Sequence, residues 1–194
     1  LQEAYETGER IFGENKVQEL LLKQPLFPAD VQWHLIGHLQ TNKVKYIASF
    51  VDMIESVDSL KLLYEIDRQA IKFDKKQKVL LQFHIAEEET KFGFNLEEAN
   101  EMLTQLKTNP LKNIVICGVM GMATFTDDLQ QLTKEFRHLK QIFDQLKADY
   151  FETNDYFTEI SMGMSGDFEL AIAEGATMVR VGTRIFGKRN YTDN

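Results

Sequence analysis

The sequence is poor in the features on which disulfide-bonded, fibrous and membrane-spanning proteins depend. A single cysteine, Cys117, among 194 residues leaves no disulfide framework within the chain and suits a reducing cytoplasm. Three prolines and 11 glycines leave no room for a long flexible linker. There is no apolar run of about 18 residues and no secretory signal. We therefore expect residues 1–194 to form one cytoplasmic domain.

Positive charge is scarce as well. The 22 lysines and arginines are outnumbered by 30 aspartates and glutamates, which gives a net charge of −8 at pH 7. This balance argues against nucleic acid and against an anionic membrane surface as partners. An anion site would have to be local, built from backbone N–H groups and a few cations. No close group of cysteines and histidines has the spacing of metal ligands, so no metal site is expected.

Short apolar segments alternate with segments of helical spacing along the whole chain. We predict strands near residues 11, 34, 55, 82, 117, 160 and 180. Because they are apolar on both faces, they indicate a parallel sheet covered by helices. The predicted helices are 17–23, 42–50, 60–73, 96–107, about 127–146 and 167–174, with the end of a helix at 1–7.

The predicted strands number one fewer than a (β/α)8 barrel requires. The chain opens inside a helix at Leu1, without an initiator methionine. We therefore expect a (β/α)8 barrel of the TIM type whose first strand lies upstream of Leu1, so that 1–194 is incomplete at its N-terminus. A doubly wound open sheet is the alternative, although no G-x-G-x-x-G follows a first strand.

The segment 159–187 is the most informative part of the sequence. Arg180 lies within the last predicted strand, and Gly182 and Thr183 open a turn directly after it. Backbone N–H groups at a glycine-rich strand end bind anions well, and a hydroxyl adds one more donor. The pattern predicts a phosphate cradle with Arg180 directed into it. In the alternative interpretation, Arg180 pairs with a carboxylate on a neighbouring strand.

Other polar residues near the strand ends are weaker candidates. His34 and His84 fall within predicted strands, where a hydrogen-bonded structural histidine is favoured over a catalytic one, whereas His38 falls in a loop. Glu14 and Glu55 are the obvious choices for a general base at a strand end. Cys117 is expected in the core, and the acidic run 87–89 in a solvated loop.

Five motifs occur in chain order and are more specific together than singly. They are F-G-E-N-K-V-Q-E (12–19), W-H-L-I-G-H-L-Q-T-N-K (33–43), T-K-F-G (90–93), S-M-G-M-S-G-D (161–167) and M-V-R-V-G-T-R-I-F-G (178–187). With them, essentially the whole chain resembles the pyridoxal phosphate homeostasis protein family. The resemblance implies a fold like the N-terminal barrel domain of alanine racemase, and pyridoxal 5′-phosphate (PLP) as the cofactor.

The resemblance also assigns roles to residues of the site. Gly182 and Thr183 would bind the cofactor phosphate through backbone N–H groups and the threonine hydroxyl, and Ser161 would add a hydroxyl, with Ser165 a weaker candidate. Arg180 would lie beside the pyridine nitrogen. Asn15 and Met120 would approach from the second and sixth strand ends, and His34 would lie on the third strand.

One expected residue is missing from the chain. In the resembling family a Schiff-base lysine lies at the end of the first strand, in a segment like A-V-S-K-T. None of Lys16, Lys43 or Lys91 occupies an equivalent place. We therefore expect this lysine upstream of Leu1, and no catalytic residue within the chain.

The resemblance implies a role in intracellular PLP homeostasis, as a carrier or buffer without robust turnover that could supply apo PLP enzymes. We expect a monomer, because no racemase-like second domain is present to mediate dimerisation. A guanidinium beside the pyridine nitrogen disfavours its protonation, and an unprotonated ring is a poor electron sink.

One alternative is a PLP-dependent amino-acid racemase, although segment 184–194 is too short for the second, β-rich domain of such enzymes, which also mediates their dimerisation. Another is a barrel enzyme acting on a phosphorylated metabolite.

Overall fold

A computed structural model of the chain describes residues 1–87 and 92–187. The strands are β1 Ile11–Glu14, β2 Gln32–Leu35, β3 Met53–Val57, β4 Gln77–Phe83, β5 Ile114–Gly121, β6 Glu159–Met164 and β7 Met178–Arg180. The α-helices are α1 Gln2–Glu6, α2 Val17–Lys23, α3 Val44–Ile47, α4 Leu60–Lys72, α5 Leu96–Thr108, α6 Leu129–Tyr150, α7 Phe168–Ala173 and α8 Thr183–Phe186. Two 3-10 turns, Gln24–Leu26 and Thr41–Lys43, complete the described elements.

The seven strands form one parallel sheet whose spatial order is the order of the sequence. The sheet curves into a nearly closed barrel. A side-chain hydrogen bond between Glu55 on β3 and Ser161 on β6 spans the barrel interior, although two strands separate β3 from β6 in the sheet. The predicted α/β barrel is therefore confirmed, and the doubly wound open sheet is excluded.

Two hydrophobic clusters follow from the alternation of side chains along the strands. The larger cluster lies between the sheet and the helices and includes Trp33, Ile54 and Phe136. The smaller cluster fills part of the barrel interior and is built on Met53, Leu80, Cys117 and Met120. Cys117 is thus a core residue, as predicted, and burial raises the pKa of its thiol.

The longer helices begin where the sequence supplies a capping residue. Asn95 accepts a hydrogen bond from Glu98 N, and the Glu98 carboxylate accepts one from Asn95 N, which completes a capping box at α5. Asp128 caps α6 by accepting from the N–H groups of two residues in its first turn. No helix in the described ranges has the length and apolar character needed to cross a membrane.

Three local predictions were wrong. The helix expected at 42–50 is a 3-10 turn followed by the short helix Val44–Ile47. Strand β4 ends at Phe83, before His84, because His84 N donates to Phe94 O of the following loop. The segment after Gly182, where a turn was predicted, forms the short helix α8, since the N–H groups of Ile185 and Phe186 both donate to Gly182 O.

Candidate functional site

The candidate residues lie in the barrel interior and at the carboxyl ends of the strands. Asn15 directly follows β1, Arg180 is the last residue of β7, and Gly182 and Thr183 begin the segment after it. Parallel strands in a barrel end on one rim, where enzymes and binding proteins of this architecture place their sites. The fold therefore gathers residues that are far apart in sequence at one mouth.

Four polar side chains form a continuous hydrogen-bonded chain across the barrel interior, which we call the interior chain: His34, Glu55, Ser161 and Arg180. His34 Nδ1 lies 2.8 Å from Glu55 Oε1, and the Ser161 hydroxyl donates to Glu55 Oε2 at 2.6 Å. Arg180 Nη1 donates to the Ser161 Oγ at 2.6 Å. The chain thus links strands β2, β3, β6 and β7.

Arg180 is held at the end of this chain by a second contact. Its Nη2 donates to the backbone oxygen of Gly121, the last residue of β5, at 2.8 Å. Burial lowers the pKa of the guanidinium, while the negative charges of Glu55 and Asp167 act in the opposite direction. The alternative of a direct pair with a carboxylate on a neighbouring strand does not hold within the described residues, because the serine stands between Arg180 and Glu55.

A second group of polar atoms lies where β6 and β7 end. The Ser165 Oγ accepts from Gly182 N at 3.0 Å and from Arg184 N at 3.4 Å. A Cβ built on Gly182 would meet no atom within 4 Å, so the space beside this backbone is open. The N–H and hydroxyl of Thr183 have no hydrogen-bond acceptor among the residues that the structure describes. These donors belong to consecutive residues, 182–184, that follow β7.

The remaining predicted site residues are distributed around this region. Asn15 is exposed on the rim. Its backbone touches Gly37, where an added Cβ would lie 2.9 Å from Asn15 Cα. Met120 is fully buried in the smaller hydrophobic cluster and pairs in register with Ser161 on β6. His34 is buried, and its contact with Glu55 is the structural role that the sequence favoured for it.

The two glutamates proposed as general bases point in opposite directions. Glu14 is buried on the helix-facing side of β1 and pairs with Lys23 of α2, so it does not reach the barrel interior. Glu55 does lie in the interior, but both of its oxygens are engaged, by His34 and Ser161. His38 lies on the rim, where its Nδ1 is 3.1 Å from Asp58 Oδ2 and its ring stacks on the ring of Phe92.

Comparison with known proteins agrees with the barrel fold. The model of the alanine racemase N-terminal domain family matches residues 1–190. A pyridoxal phosphate homeostasis protein from Aquifex aeolicus is 41% identical over 192 residues, which cover 98% of this chain and 82% of the relative. The solved structure of PipY from Synechococcus elongatus with PLP bound superposes with a TM-score of 0.86 at 36% identity, over 96% of this chain and 85% of that one.

The chain belongs to the pyridoxal phosphate homeostasis protein family. The resemblance stated from its motifs is therefore confirmed. Likeness to the alanine racemase of Clostridium difficile, at 16% identity with a TM-score of 0.74, covers 99% of this chain and 48% of the racemase. That likeness concerns the fold alone.

The interior chain is the part of the site that was not predicted from the sequence. The sequence singled out Arg180, His34 and Ser161 separately and considered Glu55 as a base, without connecting them. A signal was available, because Glu55 shares a strand face with Met53 inside a mostly apolar run, M-I-E-S-V. A carboxylate at such a position requires buried hydrogen-bond partners.

Of the three lysines that the sequence did not match to the Schiff-base position, the structure describes two. Lys16 is exposed at the start of α2, and Lys43 ends the 3-10 turn after β2. Lys91 and Thr90 of the T-K-F-G motif, and most of the acidic run 87–89, lie outside the described residues. Glu87, which is described, is exposed as predicted.

Proposed function

We propose that this protein binds PLP at the barrel mouth and serves intracellular PLP homeostasis as a carrier or buffer, without robust catalytic turnover. The observation that carries the proposal is the position of Arg180. Its guanidinium stands at the end of β7, held by Ser161 and Gly121, next to the group of backbone donors after the same strand. A cofactor with a phosphate at one end and a ring nitrogen at the other suits this arrangement.

The residues present fit the phosphate of PLP. Gly182 N and Arg184 N converge on one oxygen, the Ser165 Oγ, and the Thr183 hydroxyl lies at the same rim. Oxygen acceptors are what such backbone groups bind, and phosphate supplies three of them. Gly182, Thr183 and Ser165 would therefore hold the phosphate. Ser161 is less suited to it than the sequence suggested, since its hydroxyl already donates to Glu55 and accepts from Arg180.

The ring end would meet Arg180, with Asn15, Met120 and His34 as the other candidate contacts. When bound, PLP supplies an electrophilic carbonyl that captures amines and a ring that can accept electron density. A guanidinium can only donate hydrogen bonds, so it favours an unprotonated ring nitrogen beside it. An unprotonated ring withdraws electrons poorly. This arrangement supports storage and transfer of the cofactor over chemistry that requires a stabilised carbanion.

A racemase remains the second candidate, because the fold is that of the alanine racemase N-terminal domain. Racemisation needs groups that remove and return a proton at the amino-acid Cα. Glu55 is occupied by two hydrogen bonds and Glu14 faces α2. This disfavours both glutamates as such groups, and equally as the base of an enzyme for phosphorylated metabolites.

The deciding experiment is cofactor binding by the purified native protein. We expect an absorbance band of bound PLP that survives extensive dialysis and is fixed by borohydride reduction, and mass spectrometry then identifies the modified lysine. Absence of both bound PLP and PLP uptake would contradict the proposal. Rapid exchange of the Cα hydrogen of free amino acids with deuterated water would favour the racemase instead.

We also propose that the protein acts in the cytoplasm as a monomer that can pass PLP to apo PLP enzymes. Reactivation of an apo enzyme should be faster with the loaded protein than with an equal concentration of free PLP if handover is direct. Equal rates, governed by PLP release, would argue for a buffer. Sedimentation at several concentrations tests the monomer, which a concentration-dependent mass would contradict.

A further inference from the structure

Arg180 is a partly buried cation without a carboxylate in direct contact among the described residues. Its two observed hydrogen bonds go to the Ser161 hydroxyl and to Gly121 O, both neutral oxygens. A cation inside a protein requires compensation, because transfer from water is costly unless the charge is paired. The nearest compensation in the interior chain is the carboxylate of Glu55, one hydrogen bond beyond Ser161.

The donors and acceptors of the interior chain have a consistent arrangement around Ser161 when Glu55 is ionised. The guanidinium of Arg180 can only donate, so the Ser161 oxygen accepts from it. The serine proton is then available to Glu55 Oε2 at 2.6 Å. An ionised carboxylate accepts here and from His34 Nδ1 at its other oxygen. Every bond in the chain is therefore satisfied when Glu55 is the anion and His34 carries its proton on Nδ1.

We propose that Glu55 positions Arg180 for the cofactor, acting through the Ser161 hydroxyl, with His34 fixing the carboxylate from the other side. The inference rests on the proposed function, since it assigns Arg180 to the ring end of PLP. Glu55 does not touch the cofactor in this proposal. It supplies the counter-charge and the orientation that keep the guanidinium at the end of β7, where its remaining N–H groups have no hydrogen-bond acceptor among the described residues.

Burial argues that these residues were not placed for stability alone. Glu55 is 1% exposed and Ser161 is fully buried, and their neighbours in the interior include the apolar side chains of Met53 and Met120. Apolar residues of similar volume are often as stabilising as a buried ion pair, or more so. We therefore infer that the buried charged residues of the interior chain serve to hold Arg180 in position at the rim.

The test compares Glu55→Gln with Ser161→Ala and with the double variant in the native protein. Glu55→Gln keeps the shape and removes the charge. We expect PLP to bind roughly tenfold more weakly. We also expect a lower midpoint when the absorbance of bound PLP is titrated with pH, since that midpoint reports protonation of the cofactor. The midpoint falls because loss of a nearby negative charge disfavours protonation. Ser161→Ala should reproduce much of both effects, and the double variant should add little to either single change.

Glu174→Gln is the matched control. Glu174 pairs with Arg137 through two hydrogen bonds on the helical surface, away from the barrel interior. It tests the loss of a glutamate that pairs with an arginine elsewhere in the fold, and should leave the cofactor spectrum and its pH midpoint unchanged. If Glu55→Gln behaves like this control, or if its effects and those of Ser161→Ala simply add, the relay through Ser161 is wrong.

A measurement on cofactor-free protein distinguishes failure of this inference from failure of the proposed function. In cofactor-free protein, a double-mutant cycle between Glu55→Gln and Arg180→Gln should show coupling in the free energy of unfolding, and Glu174→Gln should show none with Arg180→Gln. Coupling in a protein that fails to bind PLP would overturn the proposed function while keeping the Glu55–Arg180 link. Absence of coupling in a protein that binds PLP would overturn the link alone. If Glu55→Gln does not fold, Ser161→Ala and its cycle with Arg180→Gln provide the same decision.

Discussion

The Ser161 hydroxyl donates a 2.6 Å hydrogen bond to Glu55, which lies 106 positions earlier in the chain and on the far side of the barrel interior. The same oxygen accepts from Arg180. One buried serine therefore connects a carboxylate on β3 with a guanidinium on β7. The predictions below follow from this arrangement and from the rim around it.

Replacing Arg180 by glutamine should weaken PLP binding by roughly tenfold to a hundredfold, since a hydrogen bond from a charged donor contributes about 1.5–3 kcal/mol. It should also change the absorbance spectrum of the bound cofactor, because the ring nitrogen loses a neighbouring cation. Titration with PLP, followed by absorbance, measures both effects. Arg137→Gln, which removes an exposed arginine paired with Glu174, is the control. A spectrum unchanged in Arg180→Gln would return this arginine to a structural role.

Replacing Ser165 by alanine should reduce the preference for a phosphorylated ligand. The Ser165 hydroxyl meets the N–H groups of Gly182 and Arg184, and loss of one such hydrogen bond costs about 1 kcal/mol. We expect the ratio of affinities for PLP and for pyridoxal, which lacks the phosphate, to fall about fivefold. Ser161→Ala should weaken both ligands to a similar degree. The opposite pattern would assign the phosphate to Ser161.

Replacing Gly37 by alanine should disturb the loop that carries Asn15. An added Cβ would contact the Asn15 backbone oxygen and lie 2.9 Å from its Cα, closer than side chains tolerate. Thermal unfolding should show a loss of about 1–3 kcal/mol, together with weaker PLP binding. Gly166→Ala is the control for stability, because a Cβ there meets nothing within 4 Å. Equal unfolding temperatures for the two variants would contradict the close approach.

Cys117 should be unreactive toward thiol reagents in the native protein. It lies in the interior cluster, and burial raises the pKa of its thiol above the ordinary value, so the thiolate fraction near pH 8 is small. Cys117 is the one cysteine of residues 1–194, so within this segment the signal of an aromatic disulfide reagent reports Cys117. We expect a slow reaction in buffer and a complete, rapid one in guanidinium chloride. Rapid native labelling would show that the interior opens readily.

Much of the fold could be predicted from local patterns. Each of the seven strands lies where an apolar run predicted it, and the capping box at Asn95 and Glu98 marks the observed start of α5. The errors were at two short helices and at the end of one strand. The four-residue helices α3 and α8 contain too few turns for periodicity to define, and the end of β4 at Phe83 is set by a hydrogen bond to the loop after it.

The sequence by itself determined the strand–helix alternation, the parallel sheet and the family, because apolar periodicity and motif order are local properties of the chain. It also picked out Arg180, Gly182 and Thr183 as a unit, since they are neighbours along it. The tertiary structure decided which side chains contact one another. Whether Glu14 or Glu55 enters the barrel depends on strand pleat and register, and whether Ser161 or Ser165 faces the rim depends on how β6 meets β7. Those choices are made by contacts between residues up to 106 positions apart, which no local pattern encodes.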